Sequence, residues 1–253
     1  MALHDLAIVT GSSRGIGRAV ADALLARGFE VLGVSRSRPH PWPDGPYAHF
    51  TCDLADPGAV RRVFDREIPG ALQFEGRRRV ALVDNAGRLD MEPVVDAKLE
   101  SLTASFMVNS IVPIFLHGWL LRTAPPTAKL RIVDLSSGAA SSPYPGWAAY
   151  CASKAALDMA GQVLATELAE LPAVAGRDVA LVSYAPHIVA TSMQEQIRAA
   201  DPASFPRQDH YVKLHEDDEL VDPAGPAAEI VELLLRDDLP PFSRQRFDPG
   251  TRA

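Results

Sequence analysis

Cysteine is scarce in this sequence, with only Cys52 and Cys151 among 253 residues. Neither forms a Cys-x-x-Cys pair or stands beside a histidine at metal-ligand spacing, so we expect no metal site and no disulfide framework. No window of about 18 uninterrupted apolar residues occurs, and the N-terminus lacks a basic region followed by an apolar stretch. The sequence therefore predicts a protein of the reducing cytoplasm with no membrane partner.

Positive charge is also in deficit. The chain has 25 Lys and Arg against 32 Asp and Glu, a formal net charge of -7, whereas nucleic-acid binding relies on clustered cations. We therefore expect no nucleic-acid partner, and we interpret the run Arg77-Arg78-Arg79 as a solvated face. Because 47% of the residues are hydrophobic, the chain can bury a large core without a stapling metal or disulfide.

Six short runs rich in Val, Ile and Leu alternate with longer helical stretches. Such runs are typical of parallel strands covered on both faces, with helices as the crossovers. The pattern predicts one α/β domain over residues 1–253, a Rossmann-type doubly wound parallel sheet of about seven strands with helices on both faces. The predicted strands are 6–10, 31–35, 48–52, 80–83, 130–135 and 179–184, and the predicted helices are 16–27, 59–68, 99–122, 147–170 and 224–235.

Two segments lack regular periodicity. Residues 36–46 are too rich in proline for a helix or strand and are expected to form a surface loop. Between residues 191 and 222, Pro202, Pro206 and an acidic run interrupt the pattern. We interpret this second segment as an irregular substrate lid or an insertion.

A glycine-rich turn, Thr10-Gly11-Ser12-Ser13-Arg14-Gly15-Ile16-Gly17, joins the first strand to the first helix. Glycine permits a tight turn, lets the backbone approach a pyrophosphate and directs the N–H groups of the helix start toward it. A strand before the turn and a helix after it favour a dinucleotide site over an ordinary glycine-rich turn.

The second strand ends in Ser35-Arg36, where NAD-binding folds commonly carry an acidic residue that contacts the ribose. Arg14 adds a second cation, and a guanidinium suits bidentate contact with a phosphate. The sequence therefore predicts NADP(H) as the cofactor.

The turn has the spacing Gly-x-x-x-Gly-x-Gly, Asn85-Ala86-Gly87 follows the fourth strand, and Tyr150-x-x-x-Lys154 lies in a long helix. With these three motifs in order, the whole chain resembles the short-chain dehydrogenase/reductase family. The resemblance implies an adenine contact for Asp53, which could otherwise cap a helix, although Asp56 before Pro57 is the better cap. The cofactor residues implied by the motifs and the turn are Gly11, Ser13, Arg14, Gly15, Ile16, Gly17, Ser35, Arg36, Asp53, Leu54, Asn85, Ala86, Gly87, Tyr150, Lys154, Pro186, Ile188 and Thr191.

Tyr150 and Lys154 are four residues apart, so they share one face of a helix. A phenol is a poor proton carrier at neutral pH, and we expect the charge of Lys154 and that of the bound nicotinamide to lower the pKa of Tyr150. Ser137 follows the fifth strand, and the resemblance implies that it polarises a substrate carbonyl. The resemblance also implies that Asn109 supports a water-mediated proton relay to the lysine, with helix packing as the alternative role.

The run from Pro145 to Met159 is similar to the sepiapterin reductase and benzil reductase branch, which implies reduction of a vicinal dicarbonyl with NADPH. Asp248 is similar in placement to an acidic residue that grips a pterin. In two departures from the family pattern, Asp84 replaces an Asn and is expected to exchange one strand-end acceptor for another, and His187 replaces a Gly. We expect His187 to line the substrate pocket and to be barred from the backbone conformation of glycine.

These residues predict an NADPH-dependent carbonyl reductase in which Asn109, Ser137, Tyr150 and Lys154 are catalytic. Ser137, Tyr150, His187 and Asp248 would contact the small-molecule carbonyl substrate. The alternative is a catalytically weak, NADPH-binding sensor or scaffold, which the two departures would fit. The family resemblance further implies a homodimer or homotetramer formed through the two long helices.

Overall fold

Seven parallel strands form one sheet in the computed structural model, which describes residues 5–251. The strand order is β3-β2-β1-β4-β5-β6-β7, and every neighbouring pair is parallel. This confirms the predicted doubly wound sheet. The strands are β1 Leu6–Thr10, β2 Glu30–Ser35, β3 Tyr47–Thr51, β4 Arg79–Asp84, β5 Lys129–Leu135, β6 Val179–Ala185 and β7 Phe242–Arg246.

The apolar runs mark strands because both faces of the sheet are covered. In β1, Leu6 and Ile8 join the core on one face, while Ala7 and Val9 join the core on the other. All four side chains are fully buried, so no polar residue alternates with them. Strand β7 is absent from the predicted runs because its half-exposed sequence, FSRQR, is polar.

Helices cover both faces of the sheet. Helices α1 and α9 pack together on one face, and α2, α5 and α6 contribute to the core on the other. The helices are α1 Gly15–Ala26, α2 Pro57–Arg62, α3 Ile68–Ala71, α4 Leu99–Phe106, α5 Val112–Thr123, α6 Ala148–Glu170, α7 Ser192–Arg198, α8 Gln208–Glu216 and α9 Ala224–Leu235. Single π-helical segments, Val63–Glu67 and Met107–Ile111, join α2 to α3 and α4 to α5.

We expected the 191–222 segment to be irregular because of its prolines. This expectation was wrong. The segment holds the two short helices α7 and α8, which contact each other, and a bridge between Val221 and Val189 joins its end to the loop that follows β6. Phe205 and Tyr211 from this segment pack with Trp147 in a third, smaller core. The prolines lie between α7 and α8, so they interrupt the periodicity without excluding helices on either side.

Another expectation about the surface needs correction. Arg77 and Arg79 are each only 4% exposed, and their guanidinium groups pair with Glu30 at 2.6 Å and Asp237 at 2.7 Å. Of the three arginines, Arg78 alone is solvated.

Helix Leu99–Thr123 is long and apolar enough to cross a membrane by length and composition, a test that core helices of soluble proteins also pass.

Candidate active site

The strand order reverses between β1 and β4, which opens a crevice at the carboxyl ends of the strands. The glycine-rich turn lies there, with Gly11 at φ +67° and Gly15 at φ +57°, conformations that disfavour side chains. The Asn85 side chain donates hydrogen bonds from Nδ2 to the carbonyl oxygens of Thr10 (2.9 Å) and Gly11 (3.3 Å). The end of β4 therefore holds the turn in place.

Gly17 is buried beneath the turn rather than exposed to the crevice. A Cβ at this position would meet the Gly11 carbonyl oxygen at 2.5 Å and the Asn85 amide more closely still. Its small size thus allows α1 to approach the turn, and its contribution to cofactor binding is indirect.

A cleft of about 470 Å³ extends from the turn toward the end of β2. Arg14 and Arg36 line it and are exposed, and neither forms an ion pair with another residue of the described chain. Ser37, which the sequence analysis missed, also lines the cleft, with its Oγ 3.5 Å from that of Ser13. Two free guanidinium groups beside two hydroxyls can hold a phosphate group.

Most of the predicted cofactor residues line this cleft or the smaller cavity beside it, which leads to Tyr150. The first is lined by Gly11, Ser13, Arg14, Ser35, Arg36, Asp53, Leu54, Ala86 and Gly87. The second is lined by Gly11, Arg14, Gly15, Ile16, Asn85, Tyr150, Lys154, Pro186 and Thr191. Of the predicted set, Gly17 and Ile188 lie outside both.

Asp53 and Asp56 have the separate roles that the sequence left open. The Asp56 carboxylate accepts a hydrogen bond from Gly58 N at 2.8 Å and caps α2. Asp53 lines the cleft, and one of its oxygens accepts from Ala55 N at 3.0 Å. Its second oxygen can therefore serve a ligand, and the adenine contact stays a prediction.

Tyr150 connects Lys154 and Ser137, because it lines the smaller cavity with Lys154 and a further cavity with Ser137. Ser137 follows β5, its Oγ accepts a hydrogen bond from Ala139 N at 3.1 Å, and its side chain lowers the pKa of Tyr150. The Lys154 ammonium lies 5.8 Å from the Tyr150 ring centre and donates to the Leu135 carbonyl oxygen at 2.5 Å. This arrangement can present a hydroxyl pair to one substrate oxygen beside a fixed positive charge.

The pKa of Tyr150 does not follow our expectation. Burial raises it to about 12, and the Ser137 hydrogen bond lowers it only in part. Burial also lowers the pKa of Lys154 to about 8, against the opposing charges of Asp134, Asp84 and Asp158. Desolvation therefore outweighs the predicted effect of the lysine on the phenol. The consequence is a phenol that keeps its proton at neutral pH and can act as a proton donor.

Asn109 lies in the π-helical segment between α4 and α5, a feature often found at functional sites. Its amide accepts from Arg88 N and donates to the Arg88 carbonyl oxygen, both at 2.8 Å. It also donates to Ser153 Oγ at 3.0 Å. The side chain thus ties the end of β4 to α6 next to Lys154, and the relay role stays a prediction.

A third cavity, of about 210 Å³, adjoins Ser137 and Tyr150. One wall is aromatic: Trp147 stacks on Tyr144 with ring centres 4.8 Å apart, and Tyr211 contributes a third ring. The following lining residues could not be predicted from the sequence: Leu89, Tyr144, Trp147, Met193, Gln194, Ile197, Tyr211 and Arg246. They come from segments distant in sequence, and only the similarity of the 145–159 run drew attention to this region.

His187 lines this cavity, as predicted, but our backbone expectation was wrong. Its φ is +69°, so it occupies the left-handed region that favours glycine. Ile188 lines the same cavity rather than the cofactor cleft. Asp248 is exposed, is not among the residues lining the cavity, and accepts a hydrogen bond from Gly250 N at 2.9 Å. Its contact with substrate stays a prediction, while Arg246 occupies the rim.

Comparisons with known proteins agree with this geometry. Residues 5–202 match the model of the short chain dehydrogenase family. The benzil reductase ((S)-benzoin forming) of Bacillus cereus is 30% identical over 249 residues, which cover 95% of this chain and 98% of that protein. Sepiapterin reductase of Xenopus tropicalis is 32% identical over 217 residues, covering 78% of this chain and 79% of that protein.

Solved structures show the same similarity. A short chain dehydrogenase/reductase from Saccharomyces cerevisiae superposes with a TM-score of 0.79 and 26% identity, over 97% of each chain. The family and branch predicted from the motifs are therefore confirmed.

Proposed function

The chain belongs to the short chain dehydrogenase family, and on that premise we propose that it is an NADPH-dependent reductase of vicinal dicarbonyl compounds. Members of the family are oxidoreductases that use nicotinamide cofactors. The observation that carries the proposal is the position of Tyr150, which lines the smaller cavity beside the cofactor cleft together with Lys154 and lines the aromatic cavity together with Ser137.

The preference for NADPH over NADH is supported by the end of β2. Arg14, Arg36, Ser13 and Ser37 surround the place where a 2′-phosphate would lie, and Arg36 stands where NAD-binding folds commonly have a carboxylate. Positive charge without a protein partner favours a phosphate and adds nothing for an unphosphorylated ribose. The residues present therefore fit NADPH.

The proposed substrate class is supported by the cavity walls. Stacked Trp147 and Tyr144 form a flat surface beside Tyr150, and Leu89 and Ile197 add apolar area. Flat aromatic walls suit planar, conjugated carbonyl compounds. Benzil, which names one relative's activity, is a 1,2-diketone with two phenyl rings.

The residues of this chain have distinct parts in the proposed reduction. NADPH, when bound, supplies the hydride that reaches the carbonyl carbon. Tyr150 donates its proton to the carbonyl oxygen, and Ser137 donates a hydrogen bond to the same oxygen as its negative charge develops. Lys154, held by the Leu135 carbonyl, stabilises the tyrosinate that remains.

The experiment follows NADPH oxidation with benzil, smaller 1,2-diketones and sepiapterin. We expect turnover with at least one of them, and we expect Tyr150→Phe to lower kcat by about 10²–10⁴-fold because the proton donor is lost. Tyr144→Phe, which removes a hydroxyl from the same cavity, is the matched control and should retain activity. Near-normal turnover by Tyr150→Phe would refute the mechanism, and NADPH binding without turnover would indicate a sensor or scaffold.

We also propose that the protein is a cytoplasmic homodimer formed through its long helices. Ile111, Ile114, Met159 and Val163 are 43–58% exposed on the α4–α5 helix and on α6. Apolar side chains on two adjacent helices form a surface suited to a symmetric partner. Light scattering should give twice the mass of one chain.

A further inference from the structure

Three ionisable side chains are buried together behind Lys154. Asp84 at the end of β4 and Asp134 in β5 are direct register partners, so their side chains project from the same face of the sheet. His117 reaches them from α5. The three residues are 2%, 1% and 4% exposed, so water does not screen their charges.

Their contacts leave the carboxylates short of hydrogen-bond donors. His117 Nε2 lies 3.0 Å from one Asp134 oxygen and 3.6 Å from one Asp84 oxygen. Both Asp84 oxygens and the second Asp134 oxygen have no hydrogen-bond partner within residues 5–251. We expected Asp84 to act as a strand-end acceptor, and this expectation was wrong. A buried carboxyl group without donors is more stable when protonated.

Burial and the neighbouring charges have opposing effects on the pKa values of Asp84 and His117. Burial and the charge of Asp134 raise the pKa of Asp84 to about 8, although His117 and Lys154 oppose the shift. Burial alone would lower the pKa of His117, but the charge and hydrogen bond of Asp134 and the charge of Asp84 outweigh it and raise this pKa.

The cluster lies next to Lys154, whose buried ammonium donates to the carbonyl oxygen of Leu135, the residue after Asp134. Asp134, Asp84 and Asp158 favour its charged form, while burial disfavours that form. Asp158 is held separately, because it accepts hydrogen bonds from Ser136 and Ser183, both at 2.7 Å. Asp84 and Asp134 are therefore the carboxylates whose charge can respond to His117.

We propose that Asp84, His117 and Asp134 form a buried proton-holding cluster that keeps Lys154 charged during catalysis and thereby sets the alkaline limit of reduction. These three are positioning residues, and their kinetic effect rests on the proposed reductase function. As the pH rises, Asp84 releases its proton, and the new negative charge helps Lys154 retain its own. The two titrations thus compensate each other.

The kinetic test measures kcat/KM for diketone reduction between pH 6 and 10 and scales each variant to its own acidic plateau. Asp84→Asn cannot gain negative charge, so its alkaline limb should move down by about one pH unit. His117→Gln removes a positive charge, so its limb should move up. The control is Asp65→Asn, an exposed acid on the segment between α2 and α3, which should leave the limb in place.

Opposite shifts distinguish the proposal from a purely structural role, which would move both limbs in the same direction. The proposal would be overturned if the alkaline limbs of Asp84→Asn and His117→Gln shifted equally in the same direction. It would also be overturned if both limbs coincided with that of Asp65→Asn. Asp84→Asn is expected to fold, because it introduces the Asn that the family pattern has at this position.

A second measurement is independent of turnover. In cofactor-free protein with ¹³C-labelled aspartate, one carboxyl carbon should titrate several units above the ordinary value near 3.9, and this signal should be absent from Asp84→Asn. If every aspartate titrates below about pH 5, the proposal fails, even where the reductase assay succeeds. One equivalent of a bound metal ion in elemental analysis would also overturn it, since a cation would then replace the proton.

Discussion

Arg36 offers a direct test of cofactor choice. Its guanidinium is exposed in the cofactor cleft beside Ser13 and Ser37 and pairs with no acidic group of the described chain. Arg36→Ala removes this group without breaking an internal contact. The folded state should therefore be unaffected, and any loss should fall on the phosphate of the cofactor.

The size of the loss follows from the setting of the side chain. A hydrogen bond to a charged partner contributes roughly 1.5–3 kcal/mol, and solvent exposure places Arg36 at the low end of that range. Arg14 lines the same cleft and retains part of the attraction. We expect Kd for NADPH to rise about 10–30-fold, since 1.4 kcal/mol corresponds to a factor of ten. Kd for NADH should change by less than about twofold, because NADH lacks the 2′-phosphate.

Tryptophan fluorescence or calorimetric titration with each cofactor measures both constants. The matched control is Arg38→Ala, which removes the same charge from the same loop. Arg38 is exposed and is not among the residues that line the cleft. Comparing the two variants separates direct phosphate contact from the long-range field of the loop.

Two results would refute the reasoning. If Arg36→Ala weakens NADH and NADPH equally, the side chain does not contact the 2′-phosphate. If Arg38→Ala weakens NADPH as much as Arg36→Ala does, the effect is one of general charge. Tighter binding of NADH than of NADPH by the parent protein would contradict the cofactor assignment itself.

Two further variants test the turn and the cavity. Gly17→Ala would press a Cβ against the Gly11 carbonyl and should lower the free energy of unfolding by about 1–3 kcal/mol. The control is Gly70→Ala, whose Cβ would meet nothing within 4 Å and which should not destabilise the fold. Equal melting temperatures of the two variants would contradict this prediction. His187→Gly should change the ratio of kcat/KM for benzil to that for a small diketone by about tenfold, and an unchanged ratio would exclude a role of His187 in the pocket.

The cofactor half of the site could be predicted because its determinants are local. A strand, a glycine-rich turn and a helix follow one another directly, and Gly11 can adopt the positive φ of the turn at no steric cost. Parallel strands buried on both faces leave continuous apolar runs, which is why β1, β2, β4, β5 and β6 could be predicted. The 13-residue separation of Ser137 and Tyr150 similarly spans one strand end and one helix start.

The substrate half could not be predicted in this way. Its aromatic wall forms where Tyr144 and Trp147 meet Phe205 and Tyr211. Those residues lie about sixty positions apart, and the helices of the 191–222 segment bring them together. Packing between distant segments leaves no periodic signal in either one.

Short-range sterics and hydrogen bonding are written into neighbouring residues, so the sequence by itself determined the sheet, the glycine-rich turn and the order Ser137, Tyr150, Lys154. The tertiary structure alone decided the protonation of these groups. Burial raises the pKa of Tyr150 where the lysine was expected to lower it, and the register of β4 and β5 sets Asp84 beside Asp134. Desolvation and charge interactions are sums over all atoms near a group in space, and those atoms come from every part of the chain.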